Sequence, residues 1–275
     1  MLPTGSRTET AIGRLDWLSV TFLLGAVLLC YYLVPLLSLI VAQPPRVVVQ
    51  QLTTPTVLGS IRTSVLASVA STAIATTFGV PLAYWLARRE GRLSSLVTAL
   101  VVLPLVLPPI VSGMVLLTVV GPNTLVGGTA AASGFPLTRS LAGVVLAQTF
   151  VASPFVVVTA KTAIGSVDRR LEYASRSLGK RRLTTFRRVT LPLAWPGILA
   201  GITLAFARAM GEFGATIMLA YYPRTMPVQI WVSFSTLGVQ EAFPMAVVLL
   251  GVAVATLIVI NVLGTTPLER DARDN

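Results

Sequence analysis

EYASRSLGKRRLTTFRRVTLPLAW, residues Glu172–Trp195, gathers Arg176, Lys180, Arg181, Arg182, Arg187 and Arg188 and then returns at once to apolar residues. The chain around it is oily: 275 residues, 54% hydrophobic, only 11% charged, with a mean hydropathy of +0.81. A water-soluble domain carries charge on about a quarter of its residues, because its polar surface must cover the core. Here charge is scarce and arrives in clumps. The basic stretch therefore reads as an interruption between membrane spans.

A helix needs roughly 20 apolar residues to cross the hydrocarbon layer. Six segments qualify: Trp17–Val41, Ser64–Ala87, Leu96–Val120, Ser140–Thr159, Pro192–Ala220 and Ala242–Gly264. The first is too long for a signal-peptide core and is read as a retained span. One set of intervening loops holds Arg7, Arg14, Arg88, Arg89, Arg92, Lys161, Arg169, Arg170, the six basic residues above, Arg270 and Arg273. The opposite set holds only Arg46, Arg62, Arg139 and Arg224. The positive-inside bias then places both termini and the loop 161–191 in the cytoplasm. The expected organisation is a cytoplasmic tail 1–16, one membrane domain 17–264 and a cytoplasmic tail 265–275. The net charge of +11 is assigned to this bias and to anionic lipid headgroups, not to nucleic acid.

Within the opening stretch, Leu171, Ala174 and Leu178 stand at i, i+3 and i+7, an apolar stripe on a short helix. Asp168 is placed to cap its start and Gly179 to end it in the left-handed conformation. A second short segment carries Leu183, Phe186 and Val189, and Pro192 opens the next span. Such a stripe suits either a groove on a partner protein or the lipid interface, and spacing leaves both open.

Two other features lie inside the spans. Leu103–Gly113, LPLVLPPIVSG, holds Pro104, Pro108 and Pro109, which should bend the third span. Such a break persists only where protein or a wet cavity satisfies the freed backbone. In the fifth span, Arg208 and Glu212 are spaced i, i+4 and share a face. A lone central charge costs about 2.5–3.5 kcal/mol, so pairing or hydration is expected. The pair either locks helix five against its neighbours or lies along a wet cavity, and Gly211 and Gly214 beside it allow close approach or a hinge. Gly197, Gly201, Ala205 and Ala209 permit tight helix packing on the same span.

Cys30 is the only cysteine and histidine is absent, which removes disulfides within the chain and the common metal-ligand sets, so no cofactor or metal is expected. No nucleophile–base set suggests an intramembrane enzyme. An ion-gradient-driven transporter would place more ionisable residues at mid-membrane than Arg208 and Glu212 alone. No G-x-x-x-x-G-K-[ST] run is present, so ATP binding of the P-loop kind is not expected.

Gly179, nine residues, then Val189-Thr190-Leu191-Pro192 resembles the G-x9-[I/V]-x-L-P half of the EAA loop of ATP-binding cassette (ABC) importer permeases. Tyr173-Ala174-Ser175 stands where that family has Glu-Ala-Ala, with Glu172 displaced by one position. Pro81–Gly91, Leu103–Gly113 and Phe206–Leu219 are similar to the molybdate, tungstate and sulfate branch, and Ala220–Pro227, AYYPRTMP, looks closest to archaeal-type molybdate/tungstate permeases. The resemblance covers roughly residues 60–265. It implies an all-α integral membrane protein of six spans with the type I ABC importer permease fold. It implies a non-catalytic subunit in a prokaryotic cytoplasmic membrane, paired with a second copy, an ABC ATPase dimer and an extracellular or periplasmic oxyanion-binding protein. Asp168, Leu171, Glu172, Ala174, Ser175, Leu178, Gly179, Arg182, Leu191 and Pro192 would couple to the ATPase. Arg208, Gly211, Glu212, Gly214, Pro108 and Pro109 are the residues expected at the translocation path or gate. The implied cargo is molybdate or tungstate, moved by alternating access; sulfate, thiosulfate or another anion is the alternative.

Overall fold

The computed structural model describes residues 17–264, so the expected tails 1–16 and 265–275 lie outside the described residues. Helices follow one another with no strand among the described residues. They are α1 (Trp17–Val41), α2 (Pro45–Thr53), α3 (Pro55–Arg88), α4 (Arg92–Val106), α5 (Pro109–Val120), α6 (Leu125–Ala132) and α7 (Leu141–Ser166). After them come α8 (Arg169–Ser177), α9 (Arg182–Thr185), a π-helical turn (Phe186–Thr190), α10 (Leu191–Met210), α11 (Gly214–Leu219), α12 (Met226–Leu237) and α13 (Val239–Gly264). Of the described residues, 17–47, with α1, form one compact unit, and 48–264 form a second.

The second unit is organised on α3, α7 and α10, which pack along one another. Lipid tails are as apolar as leucine, so small residues and close approach must supply the adhesion between these helices. Ala83, Ala160, Ala194 and Ile198 are fully or almost fully buried in one cluster, and Ala75, Ala152, Ala205 and Ala209 in another. A Cβ on Gly197 would fall 2.5 Å from that of Ala163, and one on Gly201 would overlap the Thr159 hydroxyl. The small residues of the fifth span are thus used up against α7 of the same chain. Leucines such as Leu96, Leu100, Leu103 and Leu204 remain exposed, as a lipid-facing surface requires.

Among the described residues five helices are long and apolar enough to span a membrane, and a sixth span exists if a bent pair is counted as one. That pair is the expected third span. Leu107 and Pro108 are extended, and the path bends by 118° between α4 and α5, so Leu96–Val120 is not one helix. Other boundaries move as well, the fourth span running on to Ser166 instead of ending at Thr159. The second span starts at Pro55, not Ser64, and makes a 34-residue rod of about 51 Å. The fifth is already helical at Arg182, so Pro192 sits in a running helix, and it stops at Met210 instead of Ala220. The break at Gly211–Phe213 leaves Glu212 beyond the helix end.

Candidate functional site

Two places combine the residues singled out by sequence, and they stand at the two ends of α10.

At the first, α8 is a nine-residue helix clasped to the end of α3. The Asp168 carboxylate accepts from the Arg170 amide at 2.8 Å and caps its first turn. At the far end the Lys180 and Gly179 amides donate to the Ser175 and Arg176 carbonyls, with Gly179 at φ +76°. Those two bonds define a Schellman ending, which requires the left-handed residue. Glu172 faces inward and is buried: its Oε1 receives Nη2 of Arg88 at 2.7 Å, Nε of Arg88 at 3.1 Å and the Thr190 hydroxyl at 2.6 Å. Arg88 also donates to the Val167 carbonyl at 3.3 Å. One carboxylate oxygen thus ties α8 to the last turn of α3 and to the turn that opens α10. Ser175 and Thr185 share a hydrogen bond at 3.0 Å, and the Tyr84 and Phe186 rings meet edge-to-face at 4.9 Å.

The apolar stripe faces away from this anchor. Ala174 and Leu171 are exposed, and Leu178 is 79% exposed. An isolated amphipathic helix on its own core would bury this stripe and expose its acid; here the arrangement is reversed. Arg182 is exposed and lines a cavity of about 320 Å³ with Arg88, Arg176 and Tyr84. Leu191 packs against the α3–α7–α10 core, while Pro192 stays on the surface. Arg88 and Thr190 were not singled out by sequence. Arg88 is 84 positions from Glu172, so only a charge count could have registered it.

At the second place, the two helix breaks meet. Gly214 begins α11 directly against the start of α5: a Cβ there would lie 2.7 Å from Pro109 Cβ and 2.9 Å from the Ile110 amide nitrogen. Gly113 makes the reciprocal approach: a Cβ there would lie 2.8 Å from the Ala215 carbonyl oxygen and from Met218 Cβ. Pro108 forms the corner of the α4–α5 bend. Glu212 bridges the gap in the other strand of the junction. Its Oε2 pairs with the Arg208 guanidinium in the last turn of α10, and its Oε1 accepts from the Ala215 amide at 2.7 Å in the first turn of α11. Arg208 keeps some exposure, whereas the Glu212 side chain is 1% exposed. The i, i+4 pair forms as expected, but across a helix end and not along a helix face. Gly211 has no such constraint, since its nearest added contact would be at 3.7 Å.

Residues 79–268 match the family described as "Binding-protein-dependent transport system inner membrane component". The chain belongs to this family of inner-membrane permeases. Among its relatives is a probable molybdenum ABC transporter permease of Haloferax volcanii, 56% identical over 96% of this chain and 98% of the relative. A molybdate/tungstate transport system permease protein of Pyrococcus furiosus is 37% identical over 89% and 94%. The fold is shared with a bacterial alginate ABC transporter, solved in complex with a periplasmic protein, at a TM-score of 0.69. Identity there is 17%, and 90% of this chain and 93% of that one are covered. The all-α, type I ABC importer permease fold expected from the resemblance is therefore the architecture found, with five spanning helices among the described residues, or six if the bent α4–α5 pair is one span. The protein is a multi-pass inner-membrane subunit of an importer.

Proposed function

We propose that this permease carries molybdate or tungstate into the cell, driven through α8 by a separate ATPase. The observation that carries the coupling role is the inverted helix: α8 is capped at both ends, anchored by its buried Glu172, and turns Leu171, Ala174 and Leu178 outward. A surface so held and so apolar suits a groove on a protein partner. The cargo reading is supported by the names of the relatives at 56% and 37% identity.

Importing a dianion against a negative interior requires on the order of 4–5 kcal/mol per 100 mV before any concentration gradient. The sequence has no P-loop, so nucleotide hydrolysis is assigned to the partner and the permease itself is non-catalytic. Two copies of the chain form the pathway, two ATPases press on α8 from the cytoplasm, and an external binding protein delivers the oxyanion. The cytoplasmic assignment of α8 follows the basic loops: Arg88 pairs with Glu172 and Arg169 lies 3.5 Å from Glu90, so the loops 88–92 and 161–189 share one end of the molecule. Both termini are placed on that side by the same bias.

Helix α10 joins the two places. It runs about 30 Å from the Thr190 anchor to the Glu212 strap. Displacing α8 therefore moves a rod whose far end is the junction of the two broken helices. In this reading Arg208, Glu212, Gly214, Pro108 and Pro109 form the gate, opened by changing the angle at Gly211–Phe213.

Liposomes holding permease, ATPase and binding protein test the function. ATP should drive accumulation of labelled molybdate, with tungstate competing at least tenfold better than sulfate. Accumulation driven by an ion gradient without ATP, or sulfate competing as well as tungstate, would remove the mechanism or the cargo respectively.

A further inference from the structure

The AYYPRTMP loop takes no part in either place described above, yet its Arg224 is packed between two tyrosine rings with no carboxylate in ion-pair distance among the described residues. We propose that Arg224 and the hollow beside it form a binding site for a tetrahedral oxyanion, at the end of the molecule opposite α8.

The location follows from α3. Arg88, in its last turn, clasps α8; Thr56 and Thr63, in its first turns, line the hollow. From Thr56 to Arg88 the helix rises about 48 Å, more than a hydrocarbon layer of about 30 Å. The loop is pinned to α3 by the Met226 amide, which donates to the Ser64 hydroxyl at 2.7 Å. The hollow therefore sits on the face where an importer receives its cargo.

Arg224 is held but not neutralised. Its guanidinium carbon lies 5.2 Å from the centre of the Tyr221 ring and 4.7 Å from that of Tyr222. Nη1 donates to Gln229 Oε1 at 3.1 Å, and Nη2 donates to the Tyr222 hydroxyl at 2.6 Å and the Tyr221 hydroxyl at 3.3 Å. Nε is shielded from water and has no hydrogen-bond partner. Among the described residues no carboxylate lies within ion-pair distance of Arg224, although Arg88, Arg169 and Arg208 each have one. Ring faces and neutral oxygens orient the guanidinium without cancelling its charge.

The adjoining hollow, about 400 Å³, is lined by Thr56, Thr63, Tyr222, Arg224 and Gln229, with no acid. One N–H of Nη1 stays uncommitted, and the hollow adds the Thr56 and Thr63 side chains; a charge-assisted contact from that N–H to an oxygen of a tetrahedral anion is about twice as strong as a neutral one. The volume admits the anion with part of its hydration shell, which suits a station that must also release. A phospholipid phosphate offers the same chemistry, and the experiment separates the two sources.

This inference rests on the proposed function for the identity of the anion as cargo, and not for the chemistry of the site. The assembled permease–ATPase complex, without binding protein, is placed in nanodiscs of phosphatidylcholine. Equilibrium binding of tungstate, molybdate, sulfate and inorganic phosphate is then measured. At least one should bind saturably, with affinity reduced tenfold or more by Arg224→Gln and partly restored by Arg224→Lys. Thr63→Val, which leaves the loop contacts intact, should weaken binding about threefold and serves as the deciding variant if Arg224→Gln lowers stability. Repeating the measurement with phosphatidylglycerol assigns the site to free anion if affinity holds and to a headgroup phosphate if the lipid displaces the probe. Binding unaltered in both Arg224→Gln and Thr63→Val, or no saturable binding in either lipid, would overturn the proposal. Saturable sulfate binding that depends on Arg224, in a complex that fails to import molybdate, would sink the cargo reading and leave this site standing.

Discussion

Removing Glu172 should free α8 while leaving the rest of the permease folded. The Glu172 carboxylate receives three hydrogen bonds, two from Arg88 and one from Thr190, and the paired side chains are 11% and 13% exposed. Breaking a buried ion pair from one side costs about 3–5 kcal/mol, and the residual exposure here puts the figure near the lower end, about 3 kcal/mol. Little of that falls on α3, α7 and α10, whose packing does not involve Glu172. The loss appears as local opening of α8. At 1.4 kcal/mol per factor of ten, the opened population should rise on the order of a hundredfold. Hydrogen exchange in nanodiscs reads this directly through the amides of Leu178, Gly179 and Lys180, which close the helix. Glu172→Ala should lose about two decades of protection there, while the amides of α7 keep theirs. Thr190→Val removes one charged hydrogen bond and should cost about 1.5 kcal/mol. The Arg88→Ala, Glu172→Ala double variant should lose clearly less protection than the two single losses added together, because the first substitution already removes the pair. Strict additivity, or unchanged exchange in Glu172→Ala, would refute the anchor.

Gly179→Ala meets open space but must hold φ +76°, so it should destabilise the end of α8 by about 1 kcal/mol; Gly179→Asn should cost less, as tested by the same exchange measurement. Gly214→Ala forces a methyl into Pro109 and Ile110 and should cost about 1–3 kcal/mol, seen as a lower melting temperature and reduced uptake. Gly211→Ala, with room around it, should leave the melting temperature within error. Glu212→Ala should reach the membrane at normal abundance yet transport poorly, since its strap joins α10 to α11 without holding the core; normal uptake at normal abundance would contradict the gate assignment.

Much of this was legible because it is local. Span count follows from runs of apolar residues, and the caps of α8 follow from Asp168 and Gly179 at a fixed separation. Glu212 illustrates the limit: its spacing from Arg208 announced a pair, but the helix stops at Met210 and Glu212 accepts from the Ala215 amide in the first turn of α11. Nothing in the spacing distinguishes a pair along a helix from one across its end. The sharpness of the α4–α5 bend depends on Gly214 arriving from a hundred residues away to pack against Pro109. Helix α12 escaped notice because twelve residues are too few to span and apolarity alone does not mark it. The Glu172 displacement within the EAA-like frame reads as a departure in sequence, yet in space that acid finds Arg88 and Thr190 and becomes the anchor.

The most direct test of α8 as the lever is the rate of ATP-driven oxyanion accumulation in liposomes containing permease, ATPase and binding protein, with Leu171→Asp and Leu178→Asp introduced together on its outward stripe. The account predicts at least a tenfold fall in accumulation, and ATP hydrolysis that no longer responds to the loaded binding protein, with the permease still folded and inserted. Accumulation at the unmodified rate would show that the motor grips the permease elsewhere.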